Sequence, residues 1–137
     1  MSHLAEAQPR RRVREHRATL APYVCDGQEV ASFWSALLDL PIDDGASATY
    51  ASIGGADGAR HQPAWYFTKV PEPKRAKNRV HLDLVDPDPA AVAGLVRRGA
   101  TVVEEHSLPG TGHRWTTMQD PEGNEFCIAA KSFTGWD

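Results

Sequence analysis

Hydrophobic and polar positions alternate without a break over residues 79–84, RVHLDL, which predicts a strand over 79–85 with two chemically opposite faces. Val80, Leu82 and Leu84 share one face and suit burial under a helix, whereas Arg79, His81 and Asp83 place a cation, an imidazole and a carboxylate on the other. A different period governs residues 30–38. Val30, Phe33, Trp34, Leu37 and Leu38 fall at i, i+3, i+4, i+7 and i+8, which predicts an amphipathic helix opened by Asp26-Gly27 and ended before Pro41.

The remaining pattern repeats this order. Residues 19–25 (TLAPYVC) read as a short strand, with Pro22 pointing to an edge or a bulge. Residues 43–63 read as loops and short strands around ATYASI, and residues 64–70 (AWYFTKV) as an aromatic-rich strand. Past 79–85, the run Asp86-Pro87-Asp88-Pro89 opens a second helix with Val92, Leu95 and Val96 as its inner stripe and Gly99 as a left-handed stop. Residues 101–105 and 113–119 read as strands around the loop SLPGTG, and DPEG turns into a last strand over 124–130. Each half is therefore strand, helix and about three strands. This predicts an α+β domain over 19–131 built from two similar modules, 19–70 and 79–131, between a basic arm (1–18) and a tail (132–137). One such unit cannot close a core alone. Two side by side place helices on one face of a continuous sheet and leave the other face concave, where a ligand would sit.

Composition fits one compact domain: 137 residues, 41% hydrophobic and 24% charged. No apolar run approaches the roughly 20 residues of a membrane span, and MSHLAEAQPRRRVREHR lacks the apolar core of an export signal, so a cytoplasmic location is expected. Cys25 and Cys127 lie far apart with no CxxC spacing, which suggests reduced thiols. Five arginines against two glutamates give the first 17 residues +3, leaving −6 of the net −3 to the rest. With an acidic body and no aromatic interleaved in the arm, a nucleic-acid partner is not expected. GxSxG, P-loop, GxGxxG and HExxH patterns are all missing, which removes several hydrolase and nucleotide-binding classes.

Candidate chemistry concentrates on the concave face. His81 suits a general base, since its unperturbed pKa near 6.5 allows proton exchange near neutrality; the alternative is a structural histidine paired with Asp83 or Arg79. Asp83, about 7 Å further along the same face, would orient the imidazole or hold Arg79. Because Phe126 and Ile128 suit the helix side, Glu125 and Cys127 fall on the cavity side with these three. Trp65, Phe67 and Trp115 alternate within strands and suit either a wall for a flat ligand or core packing. His113 with Arg114 and Trp115 follows the LPGTG loop and reads as a lip over the cavity. Lys74, Arg75, Lys77 and Arg79 form a basic run that suits an anionic ligand, the first three reading more commonly as a solvated linker and Arg79 alone reaching the cavity face; Trp34 reads as packing and His61 as a loop residue.

FWSALLDLPI, VPEPKRAKNRVHLDL, RRGATVVEE and DPEGNEFCI together resemble glyoxalase-like proteins of the vicinal oxygen chelate superfamily, over residues 21–130. The resemblance implies paired βαβββ modules, a U-shaped mixed sheet with helices on its convex face, and a homodimer. In metal-using members it also implies a divalent ion held by His, Gln or Glu from the first and last strands of each half. Here those positions offer Thr19, Ala21 or Tyr23, then Thr68 or Phe67, then His81, then Cys127, with Glu125 two residues earlier on the same face. Any metal would use His81 with Glu125 or Cys127, and no cofactor is otherwise indicated. Asp39 stands where relatives place glycine. The expected function is binding of a small organic molecule, with His81 as base, Arg79 countering developing negative charge and Asp83 in support. Two alternatives stay open: sequestration of a hydrophobic compound without chemistry, as in related resistance proteins, and a metal-dependent lyase or dioxygenase.

Overall fold

A computed structural model describes residues 17–18 by their backbone, together with residues 26–55 and 64–131. The elements run β1 (Arg17–Ala18), α1 (Gly27–Leu38), β2 (Tyr50–Ile53), β3 (Ala64–Thr68), β4 (Leu82–Val85), α2 (Ala91–Arg97), β5 (Thr101–Leu108), β6 (His113–Gln119) and β7 (Glu125–Ala129). The expected strand over 19–25 and the tail over 132–137 lie outside the described residues. Two residues read from sequence as the end of the arm, Arg17 and Ala18, pair with Ala64 and Trp65.

The fold is α+β with mixed strand pairing, and its pairings repeat. In the first half β1 runs parallel to β3 and β3 antiparallel to β2, whose Ile53 also bridges antiparallel to Ile42. In the second half β4 runs parallel to β7, β7 antiparallel to β6 and β6 antiparallel to β5. Among the described residues the hydrogen-bonded strands fall into a group of three, in the order β1-β3-β2, and a group of four, in the order β4-β7-β6-β5.

The strong apolar stripe of α1 explains how the halves are joined. Asp26 caps the helix by accepting from the Gln28 and Glu29 amides. Val30, Phe33 and Trp34 are then buried against both sheets. The Trp34 ring lies 5.3 Å from Trp65 of the first half and 5.2 Å from Phe126 of the second. Its indole N–H donates to Asp120 at 3.0 Å. Asp120 opens the DPEG turn and also accepts from the Glu122 and Asn124 amides and the Asn124 side chain. Glu122 in turn accepts from the Asp26 amide. The DPEGN run is thus a brace between the last hairpin and α1.

Several sequence expectations change in detail. β4 starts at Leu82, so Val80 is 60% exposed instead of packing under a helix. Helix α2 is only seven residues, because Asp86 and Asp88 accept from the Asp88 and Ala90 amides and cap turns ahead of it. Val96 faces out, leaving Leu95 as its buried contact, with Ala91 and Val92 packed at the margin.

Candidate functional site

The register of the second sheet builds the site. Phe126 and Ile128 of β7 and Met118 of β6 are buried on the helix side. Alternation then sends Cys127 and Thr117 to the helix-free face. Asp83, Cys127, Thr117 and Glu104 are successive cross-strand partners over all four strands, forming one polar row. Glu104 reaches that row only because a bulge between Val102 and Glu104 shifts the alternation of β5 by one residue.

His81 and His106 join this row from either side. His81 Nε2 lies 2.8 Å from Cys127 Sγ and 3.6 Å from Asp83 Oδ1. Cys127 Sγ lies 3.3 Å from Thr117 Oγ1, which is 3.0 Å from His106 Nε2, and that nitrogen is 3.9 Å from Glu104. Burial pushes the Cys127 thiol above its ordinary value and the Asp83 charge adds to this, against the Thr117 hydrogen bond and the nearby positive charge of Lys77. The raised thiol keeps its proton more firmly than an ordinary cysteine, and it shares a hydrogen bond with the His81 ring nitrogen.

The expected residues separate into two groups. His81, Asp83 and Cys127 come together on the helix-free face, with the His81 side chain 33% and the Asp83 side chain 84% exposed. Trp115 is on the same face, stacked with His106 (5.0 Å) and with His113 (5.4 Å). His113 is buried in that stack and is not a lip residue. Arg79 is exposed just ahead of β4. Trp65 and Phe67 are elsewhere: both are buried in the core under α1, and the helix-free positions of their strand are Tyr66 and Thr68. Glu125 is on the expected face but occupied, since it accepts from Lys74 Nζ at 2.7 Å and from the Asn78 amide at 3.1 Å. Burial alone would push its carboxyl up, yet these hydrogen bonds and the Lys74 charge outweigh it and hold it below the usual range. Lys74, read from sequence as linker, thus anchors the 74–78 segment to β7. Thr117, His106 and Glu104 carried no expectation from sequence, and Lys77 only that of the basic run.

A separate open cleft of about 410 Å³ lies between the start of α2 and the β5–β6 hairpin, lined by Asp88, Val92, Glu105, Arg114 and Ile128 among others. His106 and Trp115 are shared with it, while His81 and Cys127 lie outside.

A family model for the glyoxalase-like domain matches residues 18–129, nearly the whole described body. The chain belongs to the glyoxalase-like domain family. Solved structures with the same fold include a glyoxalase/bleomycin resistance protein/dioxygenase family enzyme from Burkholderia phytofirmans (14% identity, 81% of this chain and 94% of that chain, TM-score 0.60). Others are the lactoylglutathione lyase of Agrobacterium tumefaciens (16% identity, 83% and 92%, TM-score 0.53) and a glyoxalase / bleomycin resistance protein from Catenulispora acidiphila (22% identity, 84% and 96%, TM-score 0.53). At these identities the likeness shows the fold alone. Among curated proteins, none is similar enough to count as a relative.

The ion that the glyoxalase-like resemblance implies does not find its usual donors here. In the first half the last strand presents Phe67 to the core and Thr68 to solvent. In the second half Glu125 is held by Lys74, and a thiol stands at Cys127. The His, Gln and Glu set drawn from both halves is therefore not assembled among the described residues. No helix among them is long and apolar enough to cross a membrane.

Proposed function

We propose that this glyoxalase-like chain binds a small organic molecule against the helix-free face of its second sheet and acts on it by proton transfer, with His81 as the base. The observation that carries the reading is the placement of His81 Nε2: a ring nitrogen, partly exposed, beside Asp83 and Cys127. A substrate carrying an acidic C–H next to a carbonyl would displace the Cys127 thiol from Nε2 and give its proton to that nitrogen. The imidazolium so formed faces the Asp83 carboxylate, 3.6 Å away, which stabilises it. Negative charge left on the carbonyl oxygen is countered by Lys77 or Arg79, both on the segment leading into β4, with the Thr117 hydroxyl at hand as a donor. Trp115, set flat by its two imidazole neighbours, offers a wall for a planar group.

Exchange of substrate C–H for deuterium in heavy water, followed by NMR over a panel of small α-oxo and aromatic carbonyl acids, tests the abstraction step without knowledge of the product. Wild type accelerates exchange of at least one compound, and His81→Ala lowers the rate by roughly 10²–10⁴ while the compound still binds. Equal exchange in the variant would remove His81 from the mechanism. The same Trp115 stack favours a second reading, sequestration without chemistry. Tight binding with unmodified release and no exchange in wild type would select it.

A further inference from the structure

We infer that the open cleft between the start of α2 and the β5–β6 hairpin binds a free cationic α-amino acid, L-lysine being the type case. The cleft exists because the helix is too short for the strands it packs on. The seven residues of α2 extend about 10 Å and the eight of β5 about 26 Å, so one end of the hairpin stands uncovered beside the helix start. The opening measures about 410 Å³, which is room for one amino acid with some of its water.

Alternation decides what the uncovered end presents. Met118 of β6 is buried on the helix side, so Thr116 and Arg114, at the next two alternate positions, belong to the same face. Their direct partners on β5 are Glu105 and Ser107, and the partner of Thr116 on β7 is Ile128. Glu105 and Arg114 are therefore diagonal neighbours, and both line the cleft. Among the described residues neither side chain has an ion-pair or hydrogen-bond partner. A molecule with an ammonium and a carboxylate on one carbon satisfies both charges at once, its carboxylate on the Arg114 guanidinium and its ammonium on Glu105. The Ser107 and Thr116 hydroxyls stand beside them as further donors.

The opposite wall calls for a second positive charge. Asp86 and Asp88 line the cleft from the turns ahead of α2, each using one carboxylate oxygen to accept from a backbone amide. Their other oxygens take no hydrogen bond among the described residues. With Glu105 they set three carboxylates against one guanidinium, so a ligand of net positive charge balances the site better than a neutral zwitterion. Between the two walls Val92 is half-buried and Ile128 buried, an apolar floor along which a chain of CH₂ groups can lie. An amino acid with its α-end at the hairpin and its side-chain cation at Asp86 and Asp88 meets every one of these groups. His106 and Trp115 also border the cleft, so a bound ligand lies against the ring stack. His81, Asp83 and Cys127 take no part, and the inference therefore stands apart from the proton-transfer reading.

The test is calorimetric titration of the full-length chain with L-lysine and with three analogues that each lack one group. L-Norleucine lacks the side-chain cation, cadaverine the carboxylate and Nα-acetyl-L-lysine the α-ammonium. One lysine per chain is expected, with a Kd of roughly millimolar order because the charges are open to solvent, and each analogue should bind about tenfold more weakly. Arg114→Gln should weaken lysine about tenfold and leave cadaverine unchanged, and Glu105→Gln should weaken lysine and leave Nα-acetyl-L-lysine unchanged. Asp88→Asn, which keeps an oxygen for the Ala90 amide, should narrow the preference for lysine over norleucine. No saturation by ~20 mM lysine, an analogue that binds as tightly as lysine, or undiminished lysine binding in Arg114→Gln or Glu105→Gln would overturn the inference.

Discussion

The two sheets share a pairing order and differ in what they present away from the helices. The first shows Tyr50, Ser52, Tyr66 and Thr68 on that face. The second carries Asp83, Cys127, Thr117 and Glu104 in one row, with two histidines and a stacked tryptophan around it. The pairing order repeats among the described residues, and it is side chains that give the second sheet its row of titratable groups. Their helix sides are the reverse case: there both sheets meet a single helix, α1, and share one core. In the second sheet the core and the titratable row therefore occupy opposite faces of the same strands.

The largest effect should come from breaking the shared core. Trp34→Ala removes the ring between Trp65 and Phe126 together with the donor to Asp120, and it should cost about 3–5 kcal/mol in urea unfolding. If the halves were independent, only part of the unfolding signal would move. Next is Asp120→Ala, which leaves the Trp34 indole and two turn amides without an acceptor and should cost roughly 3 kcal/mol in the same measurement. Burial pushes the Asp120 carboxyl upward in spite of these donors.

A smaller effect tests the strap over the active sheet. Glu125 is more acidic folded than unfolded, so its contribution to stability is full above the unfolded value of about 4.3 and is lost as pH falls through the lower folded value. Lys74→Met removes the ion pair, so the variant should be less stable at neutral pH and lose less stability on acidification below about pH 4. Parallel acid limbs for the two proteins would contradict this assignment. The smallest effect concerns the helix exits. Gly99 follows α2 with φ of 102°, whereas α1 ends on Asp39 at φ of 53°, the one non-glycine residue at positive φ among those described. Asp39→Gly should therefore raise stability by about 0.5–1 kcal/mol, read from thermal unfolding.

Sequence made the second half legible where polarity alternates cleanly. The 79–85 pattern placed His81 and Asp83 together, and the apolar pair Phe126 and Ile128 put Cys127 opposite them. The same reasoning failed in AWYFTKV, where three consecutive aromatics make both faces look alike. Trp65 and Phe67 are in the core, Trp65 against Trp34, and the hydroxyl-bearing Tyr66 is on the other face of the strand. Glu104 and His106 were hidden by the bulge, since strict alternation from Val102 sends both to the wrong face. Thr117 stood out in no pattern and matters only through what the ladder brings beside it. Glu125 is on the expected face, but its ion pair was not legible, because nothing local in the sequence announces a partner 51 residues away.

The central claim is that chemistry is confined to the helix-free face of the second sheet. Chemical-shift mapping of the full-length chain, titrated with the carbonyl acid that gives the largest thermal shift in the same panel, tests it most directly. The account predicts perturbations confined to residues 77–83, 104–106, 115–117 and 125–127, and their loss in His81→Ala near residue 81. Perturbations centred on Tyr50, Ser52, Tyr66 and Thr68, with the second sheet silent, would contradict it.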